Sequence, residues 1–274
     1  MPELPEVETI KNELLPYVVG HCITGVTLFW DGVVRQASVE EFCARLTGQR
    51  IVGLSRRGKY LIFNLASDEA LIMHLKMTGS LLLKLASAEP DRFTRAIIYL
   101  GNQTGLFFHD PRKLGRMWLV DDAGSIIGKL GPEPLEPDFT PDILAQRLSK
   151  RSAPVKAILC DQNFVAGIGN MYADEALFAA RIHPLRPGKS LSRDEVEHLH
   201  HTIQRVLWAA IGNKGASVDT YVRPSGELGT AHFQFQVAHM LSGELCPVCG
   251  TPIERIPIRH RGSYFCPKCQ PLQA

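Results

Sequence analysis

No apolar run in this chain approaches the ~18 to 20 residues that a membrane-crossing helix requires, so no span is expected. The N-terminus lacks the basic segment and following apolar block of a targeting peptide, since MPELPEVE is acidic and broken by prolines. Repeats and low-complexity tracts are missing too, and the 23 glycines and 18 prolines are spread along the chain, which excludes collagen-like and disordered classes. Neither sign of charge dominates: 30 Lys+Arg against 28 Asp+Glu leave a formal net charge of +2, too little by itself to announce a nucleic-acid partner. What is there is a 45% hydrophobic composition over 274 residues, enough for one large domain or two ordinary ones with real cores. A cytoplasmic protein is expected.

The cations cluster even though they do not accumulate. Arg56, Arg57 and Lys59 lie together, as do Arg112, Lys113 and Arg116, and from Arg255 onward there are cations but no acid. Such spots suit phosphates, although each is equally compatible with a solvated surface. The hydrophobic pattern divides the chain. An opening helix is expected from Pro5, with Glu6 and Glu8 complementing its positive end and Val7, Ile10 and Leu14 on one face, ended by Gly20. Short β-rich runs follow (CITGVTLFW, RIVGLS, YLIFNLA, ALIMHL, SLLLKL, RAIIYL, LFFHD), as in an antiparallel sandwich or barrel, interrupted by a helix capped by Ser38 and Glu41. The proline-punctuated stretch 131–141 reads as an extended connector between a domain 1–130 and a helical domain 142–231. Ser192 with Glu195 caps a helix whose apolar face runs from Val196 to Ala210 and stops at Gly212. Residues 213–231 have no periodicity and read as a functional or mobile loop.

Four of the seven cysteines form two Cys-x-x-Cys knuckles, Cys246/Cys249 and Cys266/Cys269, separated by sixteen residues. This is the spacing of a structural zinc ribbon, with four thiolates filling the tetrahedron and no open position for catalysis. One Zn2+ is expected, folding a tail (232–274) too small for a core of its own. Cys22, Cys43 and Cys160 are expected as packing residues.

Removal of Met1, usual before a small residue such as Pro, exposes the secondary amine of Pro2. An α-amino group titrates near ~8 and a helix N-terminus lowers that further, so neutral amine is available for attack on a sugar carbon. Glu3 stands beside it, placed to donate a proton. A proline near an N-terminus usually just starts a helix, and these residues alone do not decide between the two.

The opening MPELPEVET resembles that of bacterial formamidopyrimidine-DNA glycosylases. Similar blocks recur in order as RRGKYL from Arg56, HLKMTGSL from His74, HDPRKLG from His109, LGPEPL from Leu130, DQNFVAGIGNMYADEALFAARIHP from Asp161, and the two zinc knuckles. The resemblance implies an α+β enzyme with an N-terminal β-sandwich headed by a catalytic helix, then a helix-two-turns-helix unit and a C-terminal zinc-binding β-hairpin. It implies a bifunctional glycosylase and AP lyase that removes oxidised purines (8-oxoguanine, formamidopyrimidines) from double-stranded DNA, as a monomer in the nucleoid-associated cytoplasm. In that pattern Pro2 is the nucleophile, Glu3 the acid for sugar-ring opening, and Lys59 and Arg261 serve the β- and δ-eliminations. Met77, Arg112 and Leu114 match the wedge that fills the space of the extruded base; His74, Lys156 and Asn170 match phosphate contacts, and 216–230 the damaged-base recognition loop.

The chain departs from the pattern at three places. Leu114 stands where Phe is usual, Phe93 where many members carry a DNA-contacting His, and VAHMLSGELC (237–246) replaces a Tyr-Gly-Arg-containing segment, which leaves the family's Tyr phosphate contact without a match. Two alternatives are an endonuclease VIII-like glycosylase for oxidised pyrimidines, whose opening usually has Gly where Leu4 stands, and a non-catalytic DNA-binding zinc-ribbon protein, which would have lost Pro2, Glu3 or Lys59.

Overall fold

The computed structural model describes residues 2–239 and 243–272. Two compact units share the chain: Met1–Lys129 with Asn213–Thr230, and Leu130–Gly212 with Ala231–Ala274.

The first unit opens with α1 (Leu4–Val18), which buries Val7, Ile10, Leu14 and Val18. Strands β1 (Ile23–Leu28), β2 (Val34–Arg35), β3 (Ile51–Arg57), β4 (Tyr60–Leu65), β5 (Ala70–His74), β6 (Ser80–Leu85), β7 (Thr94–Leu100), β8 (Thr104–His109) and β9 (Arg116–Val120) follow, with α2 (Val39–Leu46) between β2 and β3. They form two sheets, β1-β7-β8-β6 and β2-β9-β5-β4-β3, antiparallel throughout except for the short β2–β9 pair. One apolar core takes Phe63, Leu71 and Met73 from the second sheet, Ile98, Leu106 and Phe108 from the first, and the inner face of α1. The expected sandwich is present. Two strands escape the sequence pattern: β2 has only two residues, and β9 (RMWLV) opens on Arg116, which reads with the cations of the turn 110–115.

A short helix, α3 (Gly124–Ile127), ends the first stretch of the first unit. In the second unit, helices α4 (Pro141–Leu148), α5 (Val155–Leu159), α6 (Asn170–Ala179) and α7 (Arg193–Gly212) precede a hairpin of β10 (Glu254–Ile258) and β11 (Arg261–Phe265). Ser192 Oγ accepts from Glu195 N–H at 3.2 Å and Glu195 returns to Ser192 N–H at 2.8 Å, the expected reciprocal cap.

Two boundaries differ from the sequence expectation. The 131–141 stretch is not a free connector: Gly131 N–H donates to Gln162 O at 2.9 Å, Ala166 N–H to Pro132 O at 3.0 Å, and Phe139 is buried. Residues 213–230 leave the helical unit and pack on the first one, because Tyr221 enters its apolar core and Leu83 N–H donates to Pro224 O at 2.9 Å.

Candidate functional site

In the first unit, the site residues gather at the start of α1 and at two loop tips. Pro2 and Glu3 are buried; Glu3 is the N-cap, in extended conformation. Glu6, also buried, uses both carboxylate oxygens on backbone: Oε2 accepts Glu3 N–H at 2.7 Å and Oε1 accepts Ala216 N–H at 2.8 Å. Sequence reasoning gave Glu6 only a helix-dipole role; its partner is 210 residues away, beyond any local signal. Met1, whose removal is expected to free the Pro2 amine, lies outside the described residues.

Lys59 is buried in the two-residue turn between β3 and β4, where Gly58 takes φ +55°. Arg56 locks this hairpin to α1, its Nε donating to Glu8 Oε2 at 2.8 Å and its Nη1 to Gly58 O at 3.0 Å. Arg56 is thus a structural partner rather than free phosphate charge. Its guanidinium and Lys11 hold the Glu8 carboxyl below its usual range against the opposing effect of burial.

His74 ends β5 with its ring edge-on to Tyr60, centroids 4.5 Å apart. Burial, helped by the Lys76 and Lys59 charges, pushes its imidazole down to about 3. Nδ1 accepts Lys76 N–H at 2.9 Å, so the neutral ring carries its hydrogen on Nε2 and can donate to a phosphate without adding charge. An unfolded imidazole takes a proton near 6.5, the folded one only near 3, so this contribution to stability is whole above pH 6.5 and is lost as pH falls toward 3. At pH 5.5 the wild type is expected to lose roughly 1 kcal/mol relative to a His74→Gln variant, compared with the same pair at pH 7.5. Urea unfolding of both proteins checks this; an unchanged difference would mean the folded ring titrates normally.

Met77 is 44% exposed at the tip after β5, where Lys76 takes φ +57°. Arg112 reaches it, Nη1 lying 3.7 Å from Met77 Sδ, so two of the three expected wedge residues are brought together. The third, Leu114, is set by Asp110, a buried carboxylate that sequence reasoning passed over. Its Oδ2 accepts the Leu114 and Gly115 N–H groups, each at 2.7 Å, and Oδ1 accepts from Thr78 Oγ1 at 2.5 Å. Lys113 turns the chain at φ +56°, and Lys113 and Arg116 lie 5.9 and 5.5 Å from the Trp30 ring. Asp110 thereby fixes one tip to the other. At the remaining departure, Phe93 stacks edge-on against His109 at 5.5 Å.

In the second unit, α5 and α6 are joined by two turns that Gln162 braces, accepting Gly167 N–H at 2.9 Å and donating to Ile168 O at 2.7 Å. Gly167 has φ +86°, a conformation that excludes a side chain at low cost. Asn170 begins α6, as expected, and its Nδ2 donates to Gly262 O at 3.0 Å, tying the helix start to the hairpin. Lys156 departs from the expected phosphate contact. It is 1% exposed, with Nζ bonded to Asp174 and to Asn170 O (3.0 Å) beneath the helix start. Burial raises Asp174 to about 7, against the pull of Lys156. The ammonium therefore braces the turn from inside instead of facing solvent.

Arg261 opens β11 after a two-residue turn in which Arg259 and His260 both have positive φ, +44° and +64°. Non-glycine residues in this geometry carry backbone strain, and no Asn-Gly signal announces it. A cavity of about 240 Å3 lies between Lys156, Cys160 and Asp161 on one side and Ile258, Arg259 and Arg261 on the other. The four knuckle cysteines bring their Sγ atoms within 4.8 Å of one another, with Cys246–Cys269 at 3.8 Å and Cys249–Cys266 at 3.5 Å. Tetrahedral bonds of ~2.3 Å put sulfurs ~3.8 Å apart, so the cluster fits one zinc ion. Residues 240–242, within the departing 237–246 segment, lie outside the described residues.

Three family models match the chain in succession: the formamidopyrimidine-DNA glycosylase N-terminal domain over residues 1–117, its H2TH domain over 130–222, and a zinc finger found in FPG and IleRS over 243–272. A formamidopyrimidine-DNA glycosylase of Chloroflexus aurantiacus is 45% identical over 273 residues, 98% of each chain. That of Geobacillus kaustophilus is 43% identical, over 98% of this chain and 100% of its own. Among solved structures, a Lactococcus lactis FPG mutant in complex with Fapy-dG containing DNA superposes with a TM-score of 0.92 at 35% identity, covering 99% of this chain and 100% of that one. The MutM (FPG) protein of Thermus thermophilus gives a TM-score of 0.88 at 39% identity over 98% of each chain. Matching sequence, zinc ligands and fold from end to end, the chain belongs to the formamidopyrimidine-DNA glycosylase family.

Proposed function

We propose that this protein is a DNA repair glycosylase and AP lyase that removes oxidised purines, 8-oxoguanine and formamidopyrimidines, from duplex DNA. The observation that carries the proposal is the buried start of α1, where Pro2 and Glu3 lie with the Glu3 N–H on Glu6, on a helix that Arg56 of the Lys59 hairpin ties down through Glu8. The relatives' names and the Fapy-dG and abasic-site DNA in the Lactococcus lactis complexes support the substrate class.

The damaged nucleotide swings out of the stack at a cost of a few kcal/mol, while Met77 and Leu114 fill the gap and Arg112 faces the orphaned cytosine. The neutral Pro2 amine attacks C1′; the bond to the base breaks and Glu3 protonates the ring oxygen as the sugar opens. The resulting iminium withdraws electrons from C2′, whose proton is then lost. The 3′ phosphate leaves by β-elimination and the 5′ phosphate by δ-elimination, with Lys59 and Arg261 serving these steps. His74 donates to phosphate as a neutral ring, Asn170 sets the anion-binding start of α6, and Lys156 supports it from below. Segment 216–230 selects the damaged base. Zinc, held by Cys246, Cys249, Cys266 and Cys269, is structural. No helix among the described residues is long and apolar enough to cross a membrane. The protein acts as a monomer in the nucleoid-associated cytoplasm.

Borohydride reduction in the presence of duplexes bearing 8-oxoguanine or thymine glycol tests the reading. A covalent adduct that forms preferentially with 8-oxoguanine is expected. Preference for thymine glycol would favour the endonuclease VIII-like alternative, and no adduct with either would remove the enzyme.

A further inference from the structure

The 213–230 segment has no periodicity in sequence, yet it is fastened to the first unit at several points. Near its start, Ala216 N–H is held by Glu6 and Tyr221 is buried. At its middle, two residues past Tyr221, Arg223 Nε donates to Glu13 Oε1 at 2.7 Å, Nη2 approaches the same oxygen at 2.7 Å, and Nη1 meets Glu227 Oε2 at 2.5 Å. The backbone there is a tight turn, with Arg223 N–H on Glu227 O at 2.9 Å and Gly226 at φ +88°. A cavity of about 380 Å3 opens beside the pair, lined by Glu13, Tyr17, Leu83 and Arg223. Just beyond the buried Tyr221, the turn is held to the first unit by polar contacts, the Arg223–Glu13 pair and the Leu83 N–H on Pro224 O at 2.9 Å.

We propose that Glu13 and Arg223 form a clamp that holds segment 213–230 on α1, making Glu13 a positioning residue for selection of the damaged base. The inference rests on the reading above, in which this segment faces that base. Through this chain of contacts Glu13, in the second half of α1, acts on the reaction. The segment's start shares Glu6 with the Glu3 N–H, so one carboxylate registers both the docked segment and the N-cap of the catalytic helix. Losing the Glu13 partner leaves the 223–227 turn with the Leu83–Pro224 bond and loosens the segment that contacts the base. Steps that begin after the base has gone do not use the segment.

The test compares full-length wild type and Glu13→Ala on two duplexes, one with 8-oxoguanine and one with a preformed abasic site. For the variant, kcat/KM for base release is expected to fall about fivefold, the scale of a partly exposed but doubly bonded ion pair, while abasic-site cleavage stays within about twofold. Hydrogen exchange at 214–230 is expected to quicken. The conservative Glu13→Gln variant, which keeps an acceptor for Arg223, retains more of the base release and slows exchange relative to Glu13→Ala. Unchanged base release in Glu13→Ala, or an equal loss on both duplexes, overturns the clamp. Failure of the wild type itself on both duplexes would instead overturn the proposed function.

Discussion

A Pro2→Gly variant is expected to keep its fold and its affinity for duplex DNA while its rate of 8-oxoguanine release falls at least ~100-fold, which is ~2.7 kcal/mol of barrier. The pyrrolidine nitrogen forms an iminium directly and its ring fixes the backbone leading into α1; glycine retains an amine but adds conformational freedom where the attacking atom must be held still. Side chains that touch DNA elsewhere are untouched by the change, so binding persists while chemistry fails. Single-turnover kinetics and gel-shift affinity, measured on the same preparation, separate the two. Undiminished turnover would rule out the N-terminal amine as principal nucleophile, and mass spectrometry finding Met1 retained in fully active protein would do the same.

The second large effect concerns the metal. Freshly purified protein is expected to contain one zinc per chain, and Cys249→Ala or exhaustive chelation should abolish specific DNA binding. A two-stranded hairpin is marginal by itself in water, and the small cluster of Phe178, Val237, Cys246, Ile253 and Cys266 is built partly from the ligands themselves. Apparent zinc-binding free energies in small finger domains reach ~10 to 16 kcal/mol, more than such a cluster supplies. Losing the metal releases Arg261 and the Gly262 carbonyl that Asn170 holds. The sandwich of the first unit has its own core and should retain its β-sheet circular dichroism. Full DNA affinity in metal-free protein would show that the hairpin stands without zinc.

What could be read in the sequence follows physical range. α1, the Ser38 and Ser192 caps and the two zinc knuckles were legible because their determinants lie within a few residues of one another. Most strands were legible from their apolar runs; β9 was not, because Arg116 at its start reads with the cations of the preceding turn, which Asp110 grips. Of the site, family blocks placed the residues, while their working partners came from tertiary contacts: Glu6 with Ala216, Arg112 with Met77, Asn170 with Gly262. Lys156 shows the limit from the other side, since the family resemblance offers it as a phosphate contact while its burial against Asp174 is visible only in the fold.

The docking of Tyr221 bears on how the gene can be divided. The first unit is discontinuous, so a product truncated anywhere before Asn213 cannot be a complete N-terminal domain. It would carry an empty aromatic socket, an omission that typically costs ~3 to 5 kcal/mol, and would leave the Glu6 carboxylate without one of its two amides. A nonsense mutation late in the coding sequence therefore damages the earliest-made part of the protein as well as removing the last.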